Sequence, residues 1–319
     1  MKPIFFKEKN INNDIKIAVQ RLIEGNLVII PTETVYGIGA DATNTDAVKK
    51  IFHIKNRPFN NPIICHFESL EKVNEHVELN SRALKIAEAF WPGPLTLILK
   101  KRKNSKISPY VSNKLDMVGC RIPNHPMTLK ILKTLKRPIA APSANIATKL
   151  SSTNINHMDS RLKEKIFIVN GGSCNYGLES TVVNVKNNKA VILRYGSITE
   201  EEIENIISII DSDVFQNLKH LSPGQQNKHY SPNIPMRINV NEVLDGEALL
   251  NFGSNNLNSN KIELNLSLSA DLKEAARNFF DYLHRLDNTK YIGIAVAPIP
   301  LTGLGKTIND RLTRAIAKQ

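Results

Sequence analysis

Cysteine is scarce in this chain: Cys65, Cys120 and Cys174 are the only three in 319 residues, far apart and odd in number. They make neither a CxxC metal pair nor a disulfide framework, so the natural home is a reducing cytoplasm. Nowhere do His, Cys, Asp and Glu gather at metal-ligand spacing, and no protein metal site is expected. Long apolar runs are missing as well. No stretch reaches the roughly 18 residues that a membrane span needs, and the apolar part of Met1-Lys2-Pro3-Ile4-Phe5-Phe6-Lys7 is too short for a signal peptide. Ser143 has no G-x-S-x-G elbow and no histidine marked as its base, which speaks against a serine hydrolase. Aromatic residues make up 6% of the chain and do not interleave with the basic ones, so a dedicated RNA-binding module is the weaker of two readings of the charge.

What is present describes a globular protein with 41% hydrophobic and 23% charged residues. A length of 319 residues predicts two domains, because single cores seldom grow past about 250–300 residues. The formal net charge is +12, spread along the chain, which draws polyanions: nucleic acid or a polyphosphate-bearing nucleotide. Helical periods are read over 14–24, 45–55 (Thr45 as N-cap), 80–90, 126–135 and 200–210, and strands over 27–30, 63–66, 95–99, 117–122, 181–185 and 190–194, the last two around an Asn187-Asn188 turn. The composition breaks at 211–235, a proline- and glycine-containing polar stretch that reads as a linker. Strands at 236–240, 262–268 and 291–297 then alternate with helices at 271–287 and 306–317. The expected organisation is therefore an α/β domain over 1–210, a linker over 211–235 that could close on the site as a lid, and a small α/β domain over 236–319.

The buried strand Leu27-Val28-Ile29-Ile30 runs into Pro31-Thr32-Glu33-Thr34-Val35-Tyr36-Gly37, a loop unusually rich in hydroxyls. Such a loop at a buried strand end is where α/β folds bind ligands, and equally where hydroxyls cap a turn. Four cations, Lys55, Arg57, Arg121 and Arg194, stand at the ends of apolar elements, and Ser143-Ala144-Asn145 and Ser180-Thr181 lie on similar loops. Arginine's planar fork suits carboxylate and phosphate, so these residues together predict a polyphosphate pocket. Gly303-Leu304-Gly305-Lys306-Thr307 imitates the end of a phosphate-binding loop, but Pro300 stands where that motif requires glycine.

In their order, Pro31-Thr32-Glu33-Thr34-Val35-Tyr36-Gly37-Ile38-Gly39, Lys55-x-Arg57-Pro58-x-x-Asn61-Pro62, Trp91-Pro92-Gly93-Pro94-Leu95-Thr96, Arg121-x-Pro123, Ala141-Pro142-Ser143-Ala144-Asn145 and Glu179-Ser180-Thr181 resemble the YrdC-like domain of the threonylcarbamoyl-AMP synthases. His229-Tyr230-Ser231-Pro232 and the C-terminal unit are similar to the long, two-domain form. The resemblance implies a twisted mixed sheet with helices around a basic concave surface, plus a small Rossmann-like domain. It also implies a nucleotidyltransferase joining L-threonine, bicarbonate and ATP into threonylcarbamoyl-AMP and pyrophosphate, for threonylcarbamoylation of adenosine 37 in tRNAs reading ANN codons. On that resemblance Lys55 and Arg57 are the catalytic residues. The ATP side comprises them with Asn61, Met117, Ser143, Asn145, Ser151, Arg194 and Tyr230, and the threonine side comprises Thr32, Tyr36, His66, Arg121, Ala141 and Ser180. Met117 stands where related sequences often have threonine, so a contact there runs through backbone, and Lys149-Leu150 replaces a more usual pair before Ser151. Magnesium is expected with the ATP. Transfer RNA is expected to meet the product indirectly, through a downstream threonylcarbamoyl-transfer complex, and no membrane partner is expected.

Overall fold

A computed structural model describes residues 8–186, 188–210 and 229–317. Asn187 of the expected turn and most of the expected linker, 211–228, lie outside the described residues. The first unit contains α1 (Glu8–Ile23), β1 (Val28–Ile30), β2 (Gly37–Asp41), α2 (Thr45–Lys55), β3 (Ile64–His66), α3 (Leu70–His76), β4 (Val77–Glu78), α4 (Ser81–Phe90) and β5 (Leu95–Lys101). It continues with β6 (Met117–Arg121), α5 (Pro126–Leu135), β7 (Ile139–Ala140), α6 (Ser160–Lys165), β8 (Phe167–Ile168), β9 (Thr181–Lys186), β10 (Lys189–Arg194) and α7 (Glu200–Glu204). Its mixed sheet runs β10-β9-β5-β6-β3-β7-β2-β1-β8, with β4 also paired to β5.

This strand order sends β1, β3, β6 and β7, far apart in the chain, to neighbouring places. Parallel pairing of β3 with β6 sets His66 beside Arg121, and antiparallel pairing of β3 with β7 sets Cys65 beside Ala140. Helix α2 is bounded by two asparagines. The Asn44 side chain accepts from the Asp46 and Ala47 amides, and Asn56 ends the helix in the left-handed region at φ 50. Asn44 is thus the N-cap, not Thr45, whose hydroxyl instead meets Ser108 at 3.0 Å. Val48, Ile51 and Phe52 are buried, and that packing brings Lys55 and Arg57 to the site.

The second unit has β11 (Met236–Ile238), β12 (Glu247–Asn251), β13 (Glu263–Asn265), α8 (Leu272–Leu286), β14 (Gly293–Val296) and α9 (Leu304–Ile316). All its strands pair in parallel, in the order β11-β14-β12-β13. Helix α8 buries Ala275, Ala276, Phe279, Phe280, Leu283 and Leu286 on one stripe. The two units share apolar surface: Leu150 and Leu178 of the first, and Tyr230 between them, sit in the core of the second.

Candidate active site

The loop after β1 folds on its own hydroxyls. Thr32 Oγ1 donates to the Val35 carbonyl at 2.6 Å and accepts from the amides of Thr34 and Val35, both at 3.2 Å. Those bonds fix a tight turn around the Thr32 hydroxyl, so both readings of the loop hold: the turn is capped, and Thr32, Thr34, Val35, Tyr36 and Gly37 also line a pocket. Tyr36 is buried beneath it, donating to the Gly172 carbonyl at 2.7 Å and accepting from the Gly171 amide at 3.0 Å. Gly37 lets a second backbone approach, because a Cβ there would lie 3.1 Å from Ala141 Cβ and 3.3 Å from the Pro142 carbonyl. The opposite wall is consequently Ala141, Pro142 and Ser143.

Three guanidiniums enter this pocket, each aimed by backbone carbonyls. Arg57 donates Nε to the Asn61 carbonyl at 3.1 Å, and Nη2 to Asn61 Oδ1 at 2.6 Å and the Pro62 carbonyl at 2.7 Å. Its Nη1 has no hydrogen bond among the described residues. Burial, then the nearby Arg194, pushes the Arg57 guanidinium down to about 9, so it is a cation at neutral pH. Arg194 donates through Nη2 to the Ser180 carbonyl at 2.7 Å and the Ser180 hydroxyl at 3.1 Å, and that hydroxyl also meets Thr96 Oγ1 at 2.8 Å.

Arg121 donates Nε to the Gly93 carbonyl at 3.1 Å and Nη1 to Thr34 Oγ1 at 3.0 Å. Behind it is Glu33, 2% exposed, with Oε1 2.7 Å from Arg121 Nη2. That ion pair lies outside hydrogen-bond alignment, so both Glu33 oxygens and Nη2 are buried without a hydrogen bond among the described residues. His66 also lines the pocket. Burial, then Arg121, pushes its imidazole down to about 3, so it is neutral at physiological pH, and its Nδ1 is likewise unpartnered among the described residues.

Of the residues expected from the sequence, Thr32, Tyr36, Arg57, His66, Arg121, Ala141, Ser143, Ser180, Arg194 and Tyr230 share this one pocket. Lys55, Asn61, Met117, Asn145 and Ser151 stand behind or away from its lining. Lys55 is 1% exposed, and its ammonium donates to the Ser143 carbonyl at 2.6 Å, to Asn145 Oδ1 at 3.3 Å and to the Asn145 carbonyl. It therefore braces the 143–145 loop, and burial followed by Arg57 holds its pKa well below the ordinary lysine value. Asn61 aims Arg57, and Asn145 accepts from Ser143 Oγ at 2.5 Å. Ser151 donates to Glu179 Oε1 at 2.6 Å, and Met117 opens β6 opposite Lys100.

Three contributors escaped the sequence reading: Thr34, Glu179 and His229 all line the pocket. Glu179 stood within the Glu179-Ser180-Thr181 motif and His229 within His229-Tyr230-Ser231-Pro232, so a signal existed for both.

Comparison with known proteins agrees with this geometry. Residues 20–196 match the Sua5/YciO/YrdC family model, described as "Telomere recombination", and residues 198–317 match "Threonylcarbamoyl-AMP synthase, C-terminal domain". The threonylcarbamoyl-AMP synthase of Pyrococcus abyssi is 36% identical over 94% of this chain and 93% of its own length. The chain belongs to the threonylcarbamoyl-AMP synthase family. That of Bacillus subtilis is also 36% identical, over 95% of this chain and 93% of its own. A crystal structure of Pyrococcus abyssi Sua5 complexed with L-threonine superposes with a TM-score of 0.84 at 34% identity, covering 95% of this chain and 94% of that one. Membership makes this chain an enzyme whose product is linked to AMP, on the mixed α/β, two-unit architecture described above. No helix among the described residues is long and apolar enough to cross a membrane.

Proposed function

We propose that the enzyme takes L-threonine, bicarbonate and ATP to threonylcarbamoyl-AMP and pyrophosphate, the activated group used to modify adenosine 37 of ANN-decoding tRNAs. The observation that carries this reading is the convergence of Arg57, Arg121 and Arg194 on one pocket that the hydroxyls of Thr32, Thr34, Ser143 and Ser180, the rings of Tyr36 and Tyr230 and the paired carboxylate of Glu179 also line. Two anions must be held side by side in this reaction, a carboxylate and a triphosphate, and guanidiniums suit both. Arg121 is assigned the threonine carboxylate, with Thr32, His66, Ala141 and Ser180 around the amino acid and Tyr36 as the wall between the two substrates. Arg57 and Arg194 are assigned the phosphates, with Ser143 and Tyr230, and Lys55, Asn61, Asn145 and Ser151 support that side from beneath. Met117, at the opposite end of β6 from Arg121, is given no substrate contact.

The neutral amine of threonine captures bicarbonate as a carbamate, releasing water. A carbamate oxygen then attacks the α-phosphorus in line, and the bond to the β-phosphate oxygen breaks. Positioning and charge neutralisation dominate such a step. His66, held neutral, adds no repulsion to an incoming amine. Magnesium fits as an ion arriving on the triphosphate: the carboxylate lining the pocket, Glu179, has its oxygens engaged by Ser151 and Arg311. When bound it would neutralise charge developing on the leaving pyrophosphate. The product is a mixed anhydride prone to hydrolysis, so direct hand-over to a downstream threonylcarbamoyl-transfer complex is the role assigned for tRNA, in the reducing cytoplasm that three free thiols suit. Calorimetry with L-threonine and a non-hydrolysable ATP analogue, alone and together, tests the assignment. Each should bind, and Arg121→Ala should lose threonine while keeping the nucleotide; binding of neither by the unaltered chain contradicts it.

A further inference from the structure

We propose that the C-terminal unit is a working part of the site, and that Arg311 on α9 is the positioning residue through which it sets the nucleotide end of the pocket. Arg311 is 0% exposed, although it belongs to a different sheet unit from the pocket walls. Its Nε donates to Glu179 Oε2 at 3.0 Å and its Nη2 to the Tyr195 carbonyl at 2.7 Å. Its Cζ lies 4.9 Å from the centre of the Tyr230 ring, within cation–π range, and Nη1 pairs with Asp310. Glu179 and Tyr230 are both pocket-lining residues, so one buried side chain of the second unit grips two walls at once.

Backbone contacts from the same helix repeat the pattern. The His229 amide donates to the Arg314 carbonyl at 3.1 Å and Ser231 Oγ to the Ala315 carbonyl at 3.0 Å. Tyr230 between them has φ 64, a left-handed conformation that a bulky residue adopts only when its neighbours impose it. Thr307 donates to the Gly196 carbonyl at 2.9 Å, and Gly196 lies against the backbone of Ser180 and Thr181. Helix α9 thus fixes the segments that carry Glu179, Ser180, His229 and Tyr230. Without the guanidinium, Glu179 would be a buried anion short of its nearest cation, and the Tyr230 ring would lose the charge stacked on its face. Tyr195, Glu179 and Tyr230 need three directions of donation and stacking at once, which a planar fork provides and an ammonium does not.

The proposal rests on the nucleotide assignment given above, and the experiment separates the two. In the full-length chain, L-threonine and a non-hydrolysable ATP analogue are titrated separately by calorimetry against the unaltered enzyme, Arg311→Met, Arg311→Lys and Lys306→Ala. Lys306 bridges the units on the surface through Glu200 at 2.6 Å, away from the pocket, and serves as the control for loosened docking. The expected result is at least tenfold weaker nucleotide binding for Arg311→Met, a smaller loss for Arg311→Lys, and threonine affinity within about twofold of the unaltered enzyme in both. Retained threonine binding certifies the fold, and Lys306→Ala should match the unaltered chain for both ligands. Unchanged nucleotide affinity in Arg311→Met and Arg311→Lys overturns the proposal. So does a parallel loss of both ligands that Lys306→Ala reproduces, which would mark a general structural role. Should the unaltered chain bind threonine but no nucleotide, the functional assignment fails first and the role of Arg311 falls with it.

Discussion

Charge compensation, residue by residue, decides how this pocket behaves. Arg57 has one terminal nitrogen to offer once Asn61 and Pro62 have taken the others, and truncation to alanine removes it without opening the core. Arg57→Ala should therefore abolish adenylate formation while leaving the melting temperature within a few degrees; retained turnover would take Arg57 off the phosphates. Glu33 sits behind Arg121 and competes electrostatically with any carboxylate in front of it. In Glu33→Gln the KM for threonine should fall severalfold, while stability drops by about 3 kcal/mol because a buried cation loses its partner. A rise in KM would mean that Glu33 serves chiefly to aim Arg121.

Glu179 gives a pH signature: burial raises its pKa, but Arg311, Arg194 and the Ser151 hydroxyl outweigh that and bring it to about 2 against an ordinary 4.5. A depressed acid contributes stability that is complete above its unfolded pKa and is lost as pH falls from about 4.5 toward 2, on the order of 3 kcal/mol in all. Melting curves between pH 5 and 2 should be visibly flatter for Glu179→Gln than for the unaltered chain. Parallel curves would contradict the pairing. Why the sequence yielded Arg57, Arg121 and Arg194 but neither the place of Glu179 nor Arg311 is physical. Cations flanking apolar runs leave a local pattern, whereas a buried pair between residues 132 positions apart leaves none.

At the scale of elements, the close approach of segments matters more than their individual propensities. A Cβ on Gly196 would lie 2.3 Å from the Thr181 amide and 2.4 Å from the Ser180 carbonyl carbon, so only glycine fits. Gly196→Ala must displace the Ser180 turn; it should destabilise the fold by about 1–3 kcal/mol and raise the KM for threonine, both measurable on one preparation. Strongly periodic elements such as α2, α4, α5 and α8 were legible in the sequence within a few residues. Strand β2 was not, because Gly37-Ile38-Gly39 looks like loop until its pairing with β1 and β7 is known. Strand β12 opens on Glu247 directly after Asp245-Gly246, which read as loop, and α3 and α6 have too few turns to establish a period. Helix α7 stops at Glu204 instead of running to 210, although its capping box at Thr199 and Glu202 starts it as the sequence suggests.

For the whole molecule, a +12 charge that composition alone left open between RNA and nucleotide has a concrete focus in three guanidiniums around one pocket, Arg121 and Arg194 buried and Arg57 half-buried. The ordered motifs carried the family and the catalytic sheet. They said nothing of how the second unit docks, because its contacts, Arg311 to Glu179, His284 to the Ser151 carbonyl at 3.1 Å and His157 to Asp281 at 3.0 Å, are single pairs scattered over 160 residues. The loop at Pro31–Gly37, capped by its own threonines and braced by Tyr36, is the floor of a pocket whose other walls include Glu179 and Tyr230, the two residues that Arg311 grips. The central claim is that this floor joins threonine to AMP through a carbamate. It is tested most directly by pyrophosphate release from ATP by the purified chain, with and without L-threonine and bicarbonate. Release should require both together, and release that neither compound stimulates would contradict the account.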